Sequence, residues 1–231
     1  MKKVAIFVEG MTEQEFAVHL VSTLVGNKGL HVVLGRQWKG KVTITPSIPT
    51  GDINFYILIV DCANDGQVKT QIREEYPSLV AAGYTAIIGL RDVYPLPRSD
   101  MHLIQKQLSK GLPTGPVMPQ MHLAVMEVEA WFLGETTHFA RVDQALTLQF
   151  IIDNGFDIVG KLADSWQHPA KVLDDIYRLA NKEYVDSGGQ KRKQLVLQTI
   201  NALSFEELYL NVRQQLTAFD GFLTSIEGAL F

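Results

Sequence analysis

The apolar residues fall first into short unbroken runs and later into helical repeats. Residues 4–8 form one such run, closed by Glu9-Gly10, the pattern of a strand buried on both faces. Behind it Thr12 and Glu15 have the Thr-x-x-Glu spacing of a capping box, and Phe16, Leu20 and Leu24 recur at helical spacing up to Gly26. A helix is therefore expected after a tight turn. Two β-rich stretches, 31–37 and 41–45, are joined by Trp38-Lys39-Gly40 and predict an inserted hairpin. A second buried strand is expected over 55–60, ending at Asp61, with Asp65 available to cap a helix reaching about 82. A third strand, 84–90, ends at Arg91-Asp92 before a loop containing Pro95 and Pro97. A helix over about 99–109, a loop over 111–119 rich in proline and glycine, and a fourth strand over 122–126 follow.

Strands alternating with helices imply right-handed crossovers and a mostly parallel α/β sheet covered by helices on both faces. From about residue 136 the periodicity becomes helical, with segments near 140–153, 169–183, 191–202 and 204–223. The expected organisation is an α/β domain over 1–135, with the hairpin inserted near 31–45, and a helical C-terminal part over 136–231 packed on the same core.

With 231 residues, 46% of them hydrophobic and 20% charged, the chain can bury one sizeable core. The start Met1-Lys2-Lys3 has the basic character of a signal peptide, but the apolar run behind it is cut short by Glu9. No stretch approaches the roughly 20 apolar residues that cross a bilayer. The only cysteine, Cys62, has no partner for an internal disulfide, which suits a reducing compartment. A cytoplasmic protein without a membrane partner is expected. The formal net charge of −4 gives no overall basic field, so a nucleic-acid partner must meet a local patch. Such patches are Arg36, Lys39 and Lys41; Lys106 and Lys110; and Lys191, Arg192 and Lys193. Runs of this kind are more often solvated surface than phosphate-binding sites.

Acidic residues gather where the strands are expected to end. Glu9 follows the first, Asp61 the second, Asp92 the third, and Glu127 and Glu129 lie at or just past the fourth. Open parallel sheets bind ligands beyond these carboxyl ends. Carboxylates crowded together need a cation to offset their repulsion, and Mg²⁺ or Mn²⁺ takes such oxygen ligands. An acid after a strand also often caps the next helix; Asp65 reads that way. Glu9, with Thr12 as the expected cap, reads as functional. The six histidines show no metal-ligand spacing, and the chain contains no GxxxxGK[ST], GxGxxG or GxSxG. A zinc enzyme, P-loop NTPase, Rossmann dehydrogenase and α/β-hydrolase are disfavoured.

The segment Ala5-Ile6-Phe7-Val8-Glu9-Gly10-Met11-Thr12-Glu13 resembles the first signature of the Toprim superfamily in the form found in its bacterial Toprim-like branch. Asp92-Val93-Tyr94-Pro95-Leu96-Pro97 is similar to the Asp-x-Tyr-x-x-Pro block of an uncharacterised family there. Residues 119–133, with His122 and Glu127-Val128-Glu129-Ala130-Trp131-Phe132, resemble its third block, and 165–171 a later one. The resemblance covers residues 3 to about 135 and reaches only weakly into the helical remainder.

It implies Mg²⁺-dependent phosphoryl transfer on DNA or RNA, as in topoisomerases, primases and nucleases of phage defence. Glu9 would be the acid/base or metal-linked glutamate and Asp92 a metal ligand. The superfamily's Asp-x-Asp is here Asp92-Val93-Tyr94, so Glu127 or Glu129 would have to supply the missing oxygen. Two functions fit. One is a metal-dependent nuclease using Glu9, Asp92 and Glu129, with Lys191, Arg192 and Lys193 on the nucleic-acid backbone. The other is a degenerate module that binds metal or nucleic acid beside a partner such as an ATPase. A phosphotransfer protein would want aspartate where Glu9 stands.

Overall fold

The computed structural model describes residues 1–231 apart from 27, 40, 49–50, 65 and 186–188. Asp65, the expected cap, and Gly40 of the hairpin turn lie outside the described residues. The protein is α/β, built on a six-stranded sheet of order β3-β2-β4-β1-β5-β6. The strands are β1 (Lys2–Val8), β2 (Leu30–Trp38), β3 (Lys41–Ile44), β4 (Phe55–Asp61), β5 (Ala86–Asp92) and β6 (Gln120–Ala124). The chain forms two compact units. The first comprises Met1–Asp92, Ser99–Leu123 and Gly221–Phe231, the second Val93–Arg98 and Ala124–Asp220.

In the first unit β1 lies parallel between β4 and β5, pairing Ile6 with Ile59 on one side and with Ile88 on the other. Its apolar run is continuous because both edges are bonded and both faces are covered. The expected hairpin forms, with Trp38 opposite Lys41 in antiparallel register. Its first arm is more than an insertion, since β2 also runs parallel to β4 and sets Val32 beside Ile57. The alternating burial of β2 marks a strand covered less fully than the centre.

Helix α1 (Met11–Val25) carries the chain from β1 over β4 to β2, and α2 (Val68–Ala81) carries it from β4 over β1 to β5. These moves run in opposite directions across the sheet, so right-handed crossovers set the two helices on opposite faces. Phe16, Ala17, Leu20 and Val21 form the buried stripe of α1. Gln14 pins that helix to the sheet, its Nε2 donating to the carbonyls of Gly35 and Ile59 at 2.8 Å each. Helix α3 (Met101–Ser109) then leads to β6.

The second unit is helical: α4 (Glu129–Gly134), α5 (Phe139–Val142), α6 (Leu148–Asp153), α7 (Pro169–Arg178), α8 (Gly189–Ala202), α9 (Phe205–Glu207) and α10 (Arg213–Gln215). The last helix, α11 (Thr217–Leu230), runs from this unit into the first. The helix expected over 140–153 is interrupted for a local reason. Asp143 Oδ1 accepts from the Ala145 amide at 3.0 Å, and Thr147 caps a new start by accepting from Phe150 N at 3.2 Å. Between α9 and α10 the chain makes a π turn over Leu208–Val212. Trp131 packs on Phe219 with ring centroids 5.0 Å apart, and Tyr177 on Tyr184 at 5.8 Å.

This aromatic core also encloses polar groups. Glu135 is buried and accepts from Thr137 N at 2.9 Å and from Arg141 Nη2 and Ser204 N at 3.0 Å each. His138 lies beside it, fully buried against Phe139 and Tyr177. None of the described helices is long and apolar enough to cross a membrane.

Candidate functional site

Helix α1 begins at Met11, directly after Gly10, with no side chain capping its first turn. Thr12 is already inside the helix and buried, so the expected Thr12–Glu15 capping box does not form. The turn that follows β1 instead holds two buried carboxylates, Glu9 and Glu13. A Cβ at position 10 would stand 3.3 Å from Glu13 Oε2. Glycine thus leaves the Glu13 carboxylate room beside the Glu9-Gly10 turn. In the sequence Glu13 stood only as the last residue of the Ala5–Glu13 segment, without a role of its own; the available signal was a second glutamate so soon after Glu-Gly.

Register places the next group. Phe7 pairs with Gly89, and two more residues of parallel pairing set Glu9 beside Arg91. Arg91 Nε lies 3.6 Å from Glu9 Oε1, a largely buried ion pair. Asp92 closes the strand one residue later. On the other side of β1, Asp61 pairs in register with Val8 and is buried. Its Oδ1 accepts from Ala63 N at 2.7 Å, and its Oδ2 lies 3.5 Å from Nε of the exposed Arg36. Ala63 has a left-handed backbone, φ 59°, strain of the kind found at functional turns. Cys62 donates its amide to Val8 O at 2.8 Å. Burial pushes its thiol pKa far up, and the negative charges of Asp61 and Glu9 add to the shift. The thiol stays protonated and serves as packing.

The connection from β1 leaves the sheet in one direction and that from β5 in the other, so their carboxyl ends bound a topological switch point. Crevices of this kind receive ligands in open α/β sheets. Glu9 and Asp92 flank it. Both carry oxygen donors of the kind taken by magnesium, which binds through one or two carboxylates and keeps several waters. The chain also supplies countercharge of its own, Arg91 for Glu9 and Arg36 for Asp61. Among the described residues no three or more His, Cys, Asp or Glu side chains are grouped as a metal-holding cluster.

Glu127 and Glu129 belong to the second unit. Glu127 Oε2 accepts from Ala170 N at 2.9 Å, satisfying an amide in the first turn of α7. Burial raises its pKa, while that bond and the charges of His168 and Arg192 oppose the rise. Glu129, buried at the start of α4, accepts from the Tyr184 hydroxyl at 3.1 Å. Met126, just before them, has φ 63°. Tyr94, standing where a second aspartate was sought, packs edge-on against His168 with centroids 5.0 Å apart. Lys191, Arg192 and Lys193 are exposed on the first turns of α8.

A cleft of roughly 780 Å³ in the first unit lies at the amino-terminal ends of the strands, where Lys2, Ala86 and Gln120 begin β1, β5 and β6. Among the described residues its lining includes no carboxylate and no imidazole. No family model, no curated protein and no solved structure matches the chain.

Proposed function

We propose that the protein is a Mg²⁺- or Mn²⁺-dependent phosphoryl-transfer protein that hydrolyses phosphodiesters in DNA or RNA, with Glu9 and Asp92 holding the cation. The observation supporting this is the placement of Glu9 and Asp92 at the ends of the adjacent parallel strands β1 and β5, beside the switch point. The resemblance of the Glu9-Gly10 and Asp92-Val93-Tyr94 segments to the Toprim signatures supports it independently. The cation would activate water and offset charge on the phosphate. Arg91 holds the Glu9 carboxylate at the strand end, and the protonated Cys62 adds no negative charge.

The test pairs degradation of single- and double-stranded DNA and RNA with melting curves for the parent, Glu9→Gln and Asp92→Asn. At a concentration 100 times its Kd, Mn²⁺ should stabilise the parent by about 2.7 kcal/mol and each variant far less. Cleavage should collapse in both variants. Relief of carboxylate repulsion alone would make metal-free Glu9→Gln more stable than the parent. The Arg91 ion pair reverses that sign for Glu9, because the variant leaves a largely buried guanidinium without its carboxylate. Cleavage that persists in both variants overturns the assignment.

A second function is favoured by the arginines beside Glu9 and Asp61 and by Tyr94 in place of an aspartate. It is a module that binds metal or nucleic acid without turnover, acting with a partner such as an ATPase. Stabilisation by Mn²⁺ without cleavage, with and without added cell extract to supply the partner, would select it.

A further inference from the structure

A second cleft in the first unit, roughly 270 Å³ in volume, is lined by Gly66, Lys69, Thr70, Arg73, Arg91 and Gln107, with Leu108 at its edge. Three of these residues are cations, and among the described residues the lining includes no carboxylate. Among the described residues no acid forms an ion pair with Lys69, Arg73 or Lys110. The Lys69 ammonium is fixed at the wall rather than trailing into solvent, since its Nζ donates to Gln107 O at 2.6 Å. Its pKa is lowered, by burial first and then by the like charges of Arg73 and Lys110. Positive charge is therefore concentrated here, and among the described residues Lys69 and Arg73 have no acidic partner, while Arg91 is paired with Glu9.

The local backbone adds to the same field. Lys69 and Thr70 sit in the first turn of the 14-residue helix α2, which has no side-chain cap and no acid in its first turn. Basic residues at this end of a helix oppose its dipole, an arrangement that a bound anion relieves. Arg91 joins the cleft to the switch point, because it lines the cleft while its Nε faces Glu9 at 3.6 Å.

We propose that this cleft is a phosphate-binding subsite that holds a backbone phosphoryl group of a polynucleotide next to Glu9. The volume lies just under the ~300–1,000 Å³ typical of whole small-molecule pockets, which suits a phosphoryl group with part of its sugar. Among the described residues the lining has no aromatic ring on which a base could stack. Recognition would therefore be of phosphate, positioning the strand without reading its sequence. The ligand rests on the nucleic-acid function proposed for the switch point, but the site requires no metal.

The experiment uses the full chain in EDTA. A fluorescent single-stranded oligonucleotide is titrated across a salt series, and inorganic phosphate is added in parallel melting curves. Lys69→Gln/Arg73→Gln should weaken oligonucleotide binding by roughly an order of magnitude at low salt and lower the log–log salt slope by about 1.4, two phosphates at ~0.7 each. The same variant should lose the stabilisation by phosphate that the parent shows. Arg73→Gln alone, at an exposed position, gives half the slope change and keeps the test open if the double variant folds poorly. Because the titration is run in EDTA, binding through this subsite should persist where the metal that cleavage requires is chelated, so loss of the metal chemistry and loss of this subsite give different results. A phosphate effect abolished without any change in oligonucleotide binding keeps the phosphoryl site but removes the polynucleotide as its source. Unchanged slope, affinity and phosphate response in both cleft variants overturn the proposal.

Discussion

Protonation of His138 should destabilise the protein well before general acid unfolding. The ring is fully buried in the second unit. Nδ1 lies 2.5 Å from the Glu135 carbonyl, which can only accept, so Nδ1 carries the proton. In the neutral ring Nε2 is then an acceptor for the Tyr177 hydroxyl at 3.2 Å, and Tyr177 Oη lies 3.0 Å from Thr199 Oγ1. A second ring proton would turn Nε2 into a donor and redirect the Tyr177 hydroxyl to Thr199, whose own hydroxyl donates to Leu195 O at 2.8 Å, so the cost of protonation is that of burying the charge. The Glu135 carboxylate, 3.9 Å from Nδ1 and already bonded to Thr137, Arg141 and Ser204, gives little compensation. Burial lowers the pKa to about 4; the bond to Glu135 opposes this and the Arg141 charge assists it.

The folded pKa is depressed below the ordinary 6.5, so the neutral form's advantage is complete above that value and disappears as pH falls towards 4. Linkage gives a loss of about 2 kcal/mol between pH 8 and pH 5, and about 3 kcal/mol once both states are protonated. Urea unfolding of the parent and His138→Gln across this range isolates the effect, because every other titration is common to both chains. The difference in unfolding free energy between them should shrink by about 2 kcal/mol from pH 8 to pH 5. Parallel pH profiles would refute the neutral, Nδ1-protonated assignment.

Gly89→Ala should destabilise the first unit by about 1–3 kcal/mol. The added methyl would meet Met121 Sδ and Ile72 Cδ1 at 2.9 Å or less; Gly89→Ala/Met121→Ala, which opens that space, should recover part of the loss in the same urea measurement. Replacing Lys191, Arg192 and Lys193 together by alanine should lower the salt slope of single-strand binding by ~0.7 for each phosphate that these side chains neutralise. An unchanged slope would return that patch to solvated surface.

The sheet was legible because it is local chemistry repeated. Residues 4–8 and 55–60 are unbroken apolar runs, and only strands covered on both faces bury every side chain of such a run. The acids at the strand ends could be found for the same reason, since a strand that stops at a polar residue stops at the sheet's edge. Helix ends were less legible. Thr12 satisfied the spacing of a cap, yet Gly10 stands at the cap position and the helix begins at Met11, and Asp143 and Thr147 divided a continuous apolar pattern by bonding to amides two and three residues ahead.

Partners distant in sequence could not be read at all. The alternation of strands and helices determined by itself that a parallel α/β sheet would form and that Glu9, Asp61 and Asp92 would stand at its carboxyl edge. Tertiary structure alone decided strand order, and with it that β5 rather than β4 shares the switch point with β1. It also decided that Arg91 faces Glu9, that Glu127 satisfies an amide of α7, and that Gly221–Phe231 belongs with the sheet unit. The physical reason is that periodicity reports which face of an element is buried, whereas ion pairs and amide bonds depend on which elements become neighbours, and that is fixed only when the sheet assembles.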